Sequence, residues 1–149
     1  MKRNWTLAEL LSLFPGVEFD SAAVLRCVRG ARGQGRYLKQ VRSHEGFAAV
    51  TLQAWPAQSF SLACTHEWPE AVSSVEAEDL DRALLQGLVE GAARVDLPPW
   101  RASIVCTAVG YESGLTNSTA VRVAASLALQ DLVDHGEWVV EGSPPEDVA

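Results

Sequence analysis

Hydrophobic spacing divides the first part of the chain into one short helix and a set of strands. Over 5–14 the apolar residues recur at helical spacing behind Thr6, a residue type typical of N-caps, and Pro15-Gly16 ends the segment. From 21 to 60 the pattern changes to the alternation typical of half-buried strands, so we expect three or four antiparallel strands there. Breaks between these strands are expected at 30–35, 43–46 and 56–57.

A longer amphipathic helix is predicted over 76–94, with Ser73 or Ser74 before it as a cap and Pro98-Pro99 blocking its continuation. Its apolar stripe is formed by Leu80, Leu84, Leu85 and Leu88. Its polar side is expected to contain Glu78, Asp81, Arg82, Gln86 and Glu90. One side of this helix should therefore pack on the rest of the domain.

A second helix is predicted from 116 to about 135, with Thr116 or Asn117 as its cap and Gly136 as its end. Its only polar stripe is Ser118, Arg122, Ser126, Gln130 and Asp134. Because apolar residues cover the remaining circumference, this helix should be deeply buried, and Ala124, Ala125 and Ala128 should allow close approach to a sheet.

Strands are predicted on both sides of the second helix. Ala102, Ile104, Cys106 and Ala108 alternate with polar residues, and Trp138-Val139-Val140 forms a last strand. The order of elements predicts an α+β fold, a two-layer α/β sandwich. A mostly antiparallel sheet of four to five strands should have the two long helices side by side on one face.

Length and composition are those of one domain. The chain has 149 residues, 48% of them hydrophobic, which is enough for one sizeable core and too few for two ordinary domains. Cys27, Cys64 and Cys106 are far apart, so neither a disulfide framework nor a zinc ribbon is expected, and a reducing cytoplasm fits best. Since no long apolar run is present, we expect neither secretion nor membrane insertion.

The charges are unevenly distributed. The net charge is −7, which opposes nucleic-acid binding by the whole surface. However, half of the twelve Lys and Arg residues lie between Arg26 and Arg42. This segment is interpreted as strands with solvated faces, or as a local strip that faces RNA.

Catalytic chemistry finds little support in the sequence. Cys64 and His66 alternate on one predicted strand as a nucleophile and base would, but no third orienting group is evident. We expect Cys64 in the core and His66 on the surface, and we expect no catalytic residue, metal or cofactor.

Four tryptophans are assigned two different environments. Trp55 and Trp138 are expected to pack at strand ends. Trp68 and Trp100 are expected in loops, where exposed rings can stack on bases or on a partner protein, although partial burial is the commoner outcome.

Two ungapped stretches resemble domain IV of translation elongation factor G. They are GRYLKQVRSHEGFAAVTLQAWP (35–56) and GYESGLTNSTAVRVAASLALQDLV (110–133). The first keeps the identity or type of the family residue at Gly35, Gln40, Gly46, Val50, Leu52, Trp55 and Pro56. The second does so at Tyr111, Ala120, Arg122, Ala124, Ala125, Ser126, Ala128 and Asp131.

The resemblance implies a sandwich with a left-handed βαβ crossover and two loops, 41–46 and 110–116, that enter the decoding site of the small ribosomal subunit. It divides the chain into a helical extension (1–20), the domain (21–142) and a disordered tail (143–149). It implies contacts to RNA or a partner by Arg36, Lys39, Arg42, Ser43, His44, Tyr111, Glu112 and Ser113. No phosphate-binding loop is present, so we expect a stand-alone domain that does not bind GTP.

The loops differ from the family pattern at the positions that matter most. Glu112 stands where the family has a prominent histidine, and Ser113 and Leu115 replace acidic residues. A carboxylate repels RNA phosphates. Two partner classes therefore remain open: the small ribosomal subunit or structured RNA, and a protein partner bound by an adaptor that has lost RNA contact.

Overall fold

The computed structural model describes residues 3–19, 23–39 and 45–141 and confirms the predicted α+β two-layer sandwich. The elements of the described residues are β1 (Asn4–Thr6), α1 (Leu7–Leu13), β2 (Val24–Arg29), β3 (Ala31–Lys39), β4 (Gly46–Pro56), β5 (Ser61–Cys64), α2 (Ser74–Arg94), β6 (Ala102–Gly110), α3 (Ser118–His135) and β7 (Glu137–Glu141). The predicted tail, 143–149, lies outside the described residues. None of the helices in these ranges is long and apolar enough to cross a lipid bilayer.

Five strands form the main sheet in the order β1-β5-β6-β4-β3. Strands β5 and β6 are parallel, while every other neighbouring pair is antiparallel. Helix α2 connects the parallel pair and so forms the predicted βαβ crossover, whose left hand remains a prediction from the resemblance. Strands β2 and β7 form a separate two-stranded sheet.

The predicted N-terminal helical extension is part helix and part strand. Thr6 caps α1 with a reciprocal capping box to Glu9, as the sequence indicates. The residues before it pair with β5 from Asn4↔Ala63 to Thr6↔Ser61. Strand β1 therefore covers an edge of the sheet that would otherwise present unpaired backbone groups.

Strand β3 runs through the glycines at which the sequence predicts a break. Only Gly30 separates it from β2. A Cβ on Gly33 would lie 2.5 Å from the carbonyl oxygen of Ala128, and one on Gly35 would lie 2.0 Å from that of Ala124. The predicted break is therefore found at Gly30, and the prediction is wrong for 31–35 because Gly33 and Gly35 serve close contact between strand and helix rather than a turn.

Helix α3 makes an equally close contact with α2. A Cβ on Gly87 would lie 2.1 Å from the carbonyl oxygen of Arg122, and one on Gly91 would lie 2.8 Å from that of Ser126. Ala124, Ala125 and Ala128 are fully buried, which confirms the prediction for this helix. Small residues thus allow α3 to touch both the sheet and its neighbouring helix.

The burial pattern of α3 differs from the prediction at two residues. Ser126, assigned to the polar stripe, is buried against Gly91 and accepts a hydrogen bond from Nε2 of Gln130 at 3.1 Å. Leu127, assigned to the covered surface, is 41% exposed. Periodicity could not show that α2 packs on the Ser126 side of α3.

Strand β3 is the far edge of the main sheet. The backbone N–H of Gln34 on this strand donates to Oδ2 of Asp131 on α3 at 2.8 Å. One edge donor is therefore occupied within the protein.

We expect Gly35→Ala to destabilise the protein by about 1–3 kcal/mol or more, because the new methyl group meets helix backbone that cannot rotate away. The midpoint of urea unfolding measures this. Gly16→Ala is the matched control, since a Cβ there meets no atom within 4 Å. Equal midpoints for the two variants would contradict the close contact.

Candidate functional site at the loop end of the sheet

Three strands of the main sheet place their connecting loops at the same end. Lys39, the last residue of β3, pairs with Gly46, the first of β4, and Gly110, the last of β6, pairs with Ala49. The sheet residues that border the two connections, 40–45 and 111–117, therefore lie at one end of the sheet. We call this end the loop end.

The 111–117 loop is fastened to β4 through Thr116. Its Oγ1 accepts from the backbone N–H of Glu112 and donates to the carbonyl oxygen of Phe47, both at 2.8 Å. The N–H of Phe47 in turn donates to the carbonyl of Leu115 at 3.1 Å. Thr116 is therefore buried, and Asn117 caps α3, which decides between the two predicted caps.

The predicted contact residues of this loop differ in availability. Glu112 and Ser113 are exposed, but Tyr111 is half-buried. The Tyr111 hydroxyl donates to Oε2 of Glu76 at 3.2 Å, and its ring lies edge-on to Trp68. Partial desolvation, followed by the Glu76 carboxylate, raises the pKa of Tyr111. Tyr111 therefore supports the loop, while Glu112 and Ser113 face solvent.

The contact residues predicted in the other loop lie mostly outside the described residues: Arg42, Ser43 and His44. Arg36 and Lys39 of the same set are described and exposed on β3. The guanidinium of Arg36 lies 5.6 Å from the centre of the Phe47 ring. The structure thus brings β3 and the 111–117 loop together around Phe47.

Over its described residues, 26–39, the basic segment does not form one continuous strip. Arg26 and Arg29 lie on β2 and pair with Glu141 and Glu137 of β7, the latter pair at 2.7 Å. Among the described residues, no carboxylate pairs with Arg32, Arg36 or Lys39. The cations of β3 are therefore the ones available to an anionic partner.

Sequence reasoning missed a buried polar cluster formed by His66, Trp68 and Asp81. His66 is 2% exposed, and its Nε2 lies 2.7 Å from Oδ1 of Asp81. The Trp68 indole N–H donates to the same oxygen at 3.0 Å. The predictions of a surface His66 and a solvent-facing Asp81 are therefore wrong.

Both errors have a recognisable signal in the sequence. His66 continues the alternation of Leu62 and Cys64, which are buried on the helix side of the sheet. Asp81 lies at helical spacing from Leu84 and Leu88, on the stripe that packs inward. The cluster links the segment after β5 to α2.

The cysteines lack the properties of a nucleophile. Burial, and next the nearby Asp81 carboxylate, raise the pKa of Cys64 to about 11. Burial likewise raises the pKa of Cys106. The Cys64 thiol is therefore protonated at neutral pH, and its predicted position in the core is confirmed. Within the described ranges, no cluster of His, Cys, Asp and Glu side chains could hold a metal ion.

Of the four tryptophans assigned from the sequence, Trp55 alone departs from its predicted environment. Trp55, expected to pack at a strand end, is 44% exposed. Trp68 and Trp100 lie outside the helices and strands and are half-buried, as predicted. Trp100 packs edge-on against Phe19 and Phe60, and the Trp68 indole N–H donates to Asp81. Trp55 is thus the exposed aromatic residue on the main sheet, because its side chain points away from the helices.

Comparisons with known proteins support the fold. A scan against models of protein families found no match, and neither did a search of curated proteins. Among solved structures, a protein of Thermus thermophilus matches 83% of this chain with a TM-score of 0.66 and 21% sequence identity. The matched region spans 18% of that protein's length, so this chain is similar to one part of a larger protein.

We expect Asp81→Ala to destabilise the protein by about 1–3 kcal/mol, because the buried Trp68 N–H and His66 Nε2 lose their partner. Asp79→Ala is the control, since it removes an exposed carboxylate from the same helix. Chemical unfolding of both variants checks the prediction. A loss no larger for Asp81 than for Asp79 would show that the cluster contributes nothing to stability.

Proposed function

We propose that this chain is a non-catalytic interaction domain of translation-factor ancestry, similar to domain IV of elongation factor G. The proposed partner is structured RNA, the small ribosomal subunit in particular, contacted through the loop end. One observation carries the proposal: the two stretches that resemble the family, 35–56 and 110–133, meet at this end through the hydrogen bonds of Phe47 with Leu115 and Thr116.

The loop end carries both positive charge, on β3, and negative charge, on the 111–117 loop. Arg36 and Lys39 lead along β3 toward it without a described acidic partner. Glu112 stands exposed on the adjacent loop and repels phosphates. RNA binding by this surface should therefore depend on β3 and should be weakened by Glu112.

The state of the candidate nucleophile supports the non-catalytic part of the proposal. The Cys64 thiol is protonated at neutral pH, and His66 is engaged by Asp81. Cys64 and His66 therefore have structural roles that explain their presence without chemistry.

A protein–protein adaptor is the second candidate function. It is favoured by the pairing of Arg26 and Arg29 with glutamates, which removes two cations from the predicted basic strip. Glu76 and Glu112 add negative charge near the loop end. In this role the same end would bind a protein surface instead of RNA.

We expect Glu112→His to strengthen binding to a labelled hairpin of small-subunit RNA, because the change removes a carboxylate from the phosphate field. Fluorescence anisotropy at about 50 and 200 mM salt measures the dissociation constant and its salt dependence. Asp134→His makes a similar change at the other end of α3 and should have no comparable effect.

The two candidate functions give different results in this titration. RNA contact at the loop end requires measurable binding at low salt, weaker binding at high salt and an effect specific to Glu112. No association at low salt, in the native protein or in Glu112→His, overturns the RNA proposal and leaves the adaptor.

A further inference from the structure

The side of the main sheet opposite the helices is not covered by any helix among the described residues. On β3 and β4 its side chains alternate with the glycines and apolar residues that pack toward α2 and α3. We call this surface the open face. The exposed side chains of this face on β3 and β4 are Arg32, Gln34, Arg36, Leu38 and Trp55, and Phe47 and Gln53 are half-buried among them.

Charge is segregated between the two layers of the domain. The five described strands of the main sheet contain no Asp or Glu, but β3 carries Arg32, Arg36 and Lys39. Helix α2 contains five acidic residues against two arginines, and α3 contains two against one, so both helices carry an excess of negative charge. In a protein of net charge −7, a polyanion is therefore repelled from the helical layer and approaches through the sheet.

Aromatic rings and arginines occur together on the open face. Trp55 is 44% exposed beside a groove of ≈ 250 Å³. The groove is lined by Gly30, Ala31, Arg32, Gln53, Ala54 and Trp55. Arg32 is directly opposite Gln53 in the sheet, so its guanidinium belongs to the Trp55 end of the face. At the other end, Arg36 lies over the Phe47 ring.

The two pairs of side chains are spaced for an extended ligand. Phe47 and Trp55 lie on the same face of one strand, about 26 Å apart at the usual rise of a strand. Single-stranded nucleic acid is bound in this way elsewhere, by aromatic side chains that stack on bases and cations that follow the backbone. Duplexes offer no free base faces to such rings.

We propose that the open face is a binding site for single-stranded nucleic acid, with Trp55 and Phe47 as stacking platforms and Arg32 and Arg36 as phosphate contacts. Phe47 and Arg36 are shared with the loop end, but Trp55 and Arg32 lie at the opposite end of β4 and β3, so variants of these two residues test the open face separately. We expect binding to tolerate different sequences, because neither stacking nor phosphate contacts read base edges. We expect it to weaken with salt, because the phosphate contacts are electrostatic.

The test is a fluorescence anisotropy titration of the full chain with a labelled oligouridine of about 12 nucleotides, a length within the usual site sizes of such surfaces. Trp55→Ala should weaken binding about 5-fold or more, whereas Trp55→Phe should retain most of the affinity because it keeps a ring. Arg32→Gln should weaken binding and lower the slope of log affinity against log salt by about 0.7.

Two control variants make similar changes on the helical layer. Leu127→Ala removes an apolar side chain that is 41% exposed on α3, and Arg94→Gln removes an exposed cation at the end of α2. Neither should change oligouridine binding by more than about 2-fold, since neither contacts the open face. Circular dichroism of each variant confirms that it is folded.

The outcomes separate this proposal from the one for the loop end. The open-face proposal is supported if Trp55→Ala and Arg32→Gln lose oligouridine binding while Glu112→His does not change it. This holds even if the native protein does not bind the RNA hairpin. Binding that both open-face variants retain overturns the proposal, and so does its absence at low salt. Concentration-dependent self-association in sedimentation, abolished by Trp55→Ala, would overturn it by assigning the face to a second copy of the chain.

Discussion

The structure depends on how closely α3 approaches its two neighbours. Its backbone touches β3 at Gly33 and Gly35 and α2 at Gly87 and Gly91, at distances that no larger side chain allows. This contact fixes β3 along α3 from Ala124 to Leu132, and the hydrogen bond from Thr116 to Phe47 holds the 111–117 loop to β4 before the same helix begins. The geometry of the loop end therefore depends on packing in the core together with the hydrogen bonds of Thr116.

The same packing separates the charges of the domain. Both long helices are on one side of the sheet, and they carry much of the negative charge on the outside of their layer. The uncovered side of the sheet is left with cations, aromatic rings and small neutral residues. Although the net charge of the protein is −7, the five strands contribute no carboxylate to the open face.

Sequence patterns predicted the elements better than their surroundings. The stripes of α2 and α3 located both helices because period and caps are local properties. The same patterns failed for Asp81 and Ser126, which are buried, and for Trp55, which is exposed. Periodicity shows which residues share a side of an element, but not which partner covers that side or which hydrogen bond compensates a buried carboxylate. The candidate site was less predictable still, since the hydrogen bond from Thr116 to Phe47 that organises it joins residues far apart in the chain.

The bond between Asp131 and the backbone of Gln34 has a further consequence for β3. An edge strand with free donors and acceptors invites strands of other molecules, which is how many folded proteins begin to aggregate. Here one donor is already occupied by a carboxylate, and Arg32 and Arg36 place like charges on any second copy of β3 that aligns with the first. The exposed edge is thereby protected against pairing with itself, although it is left accessible to solvent.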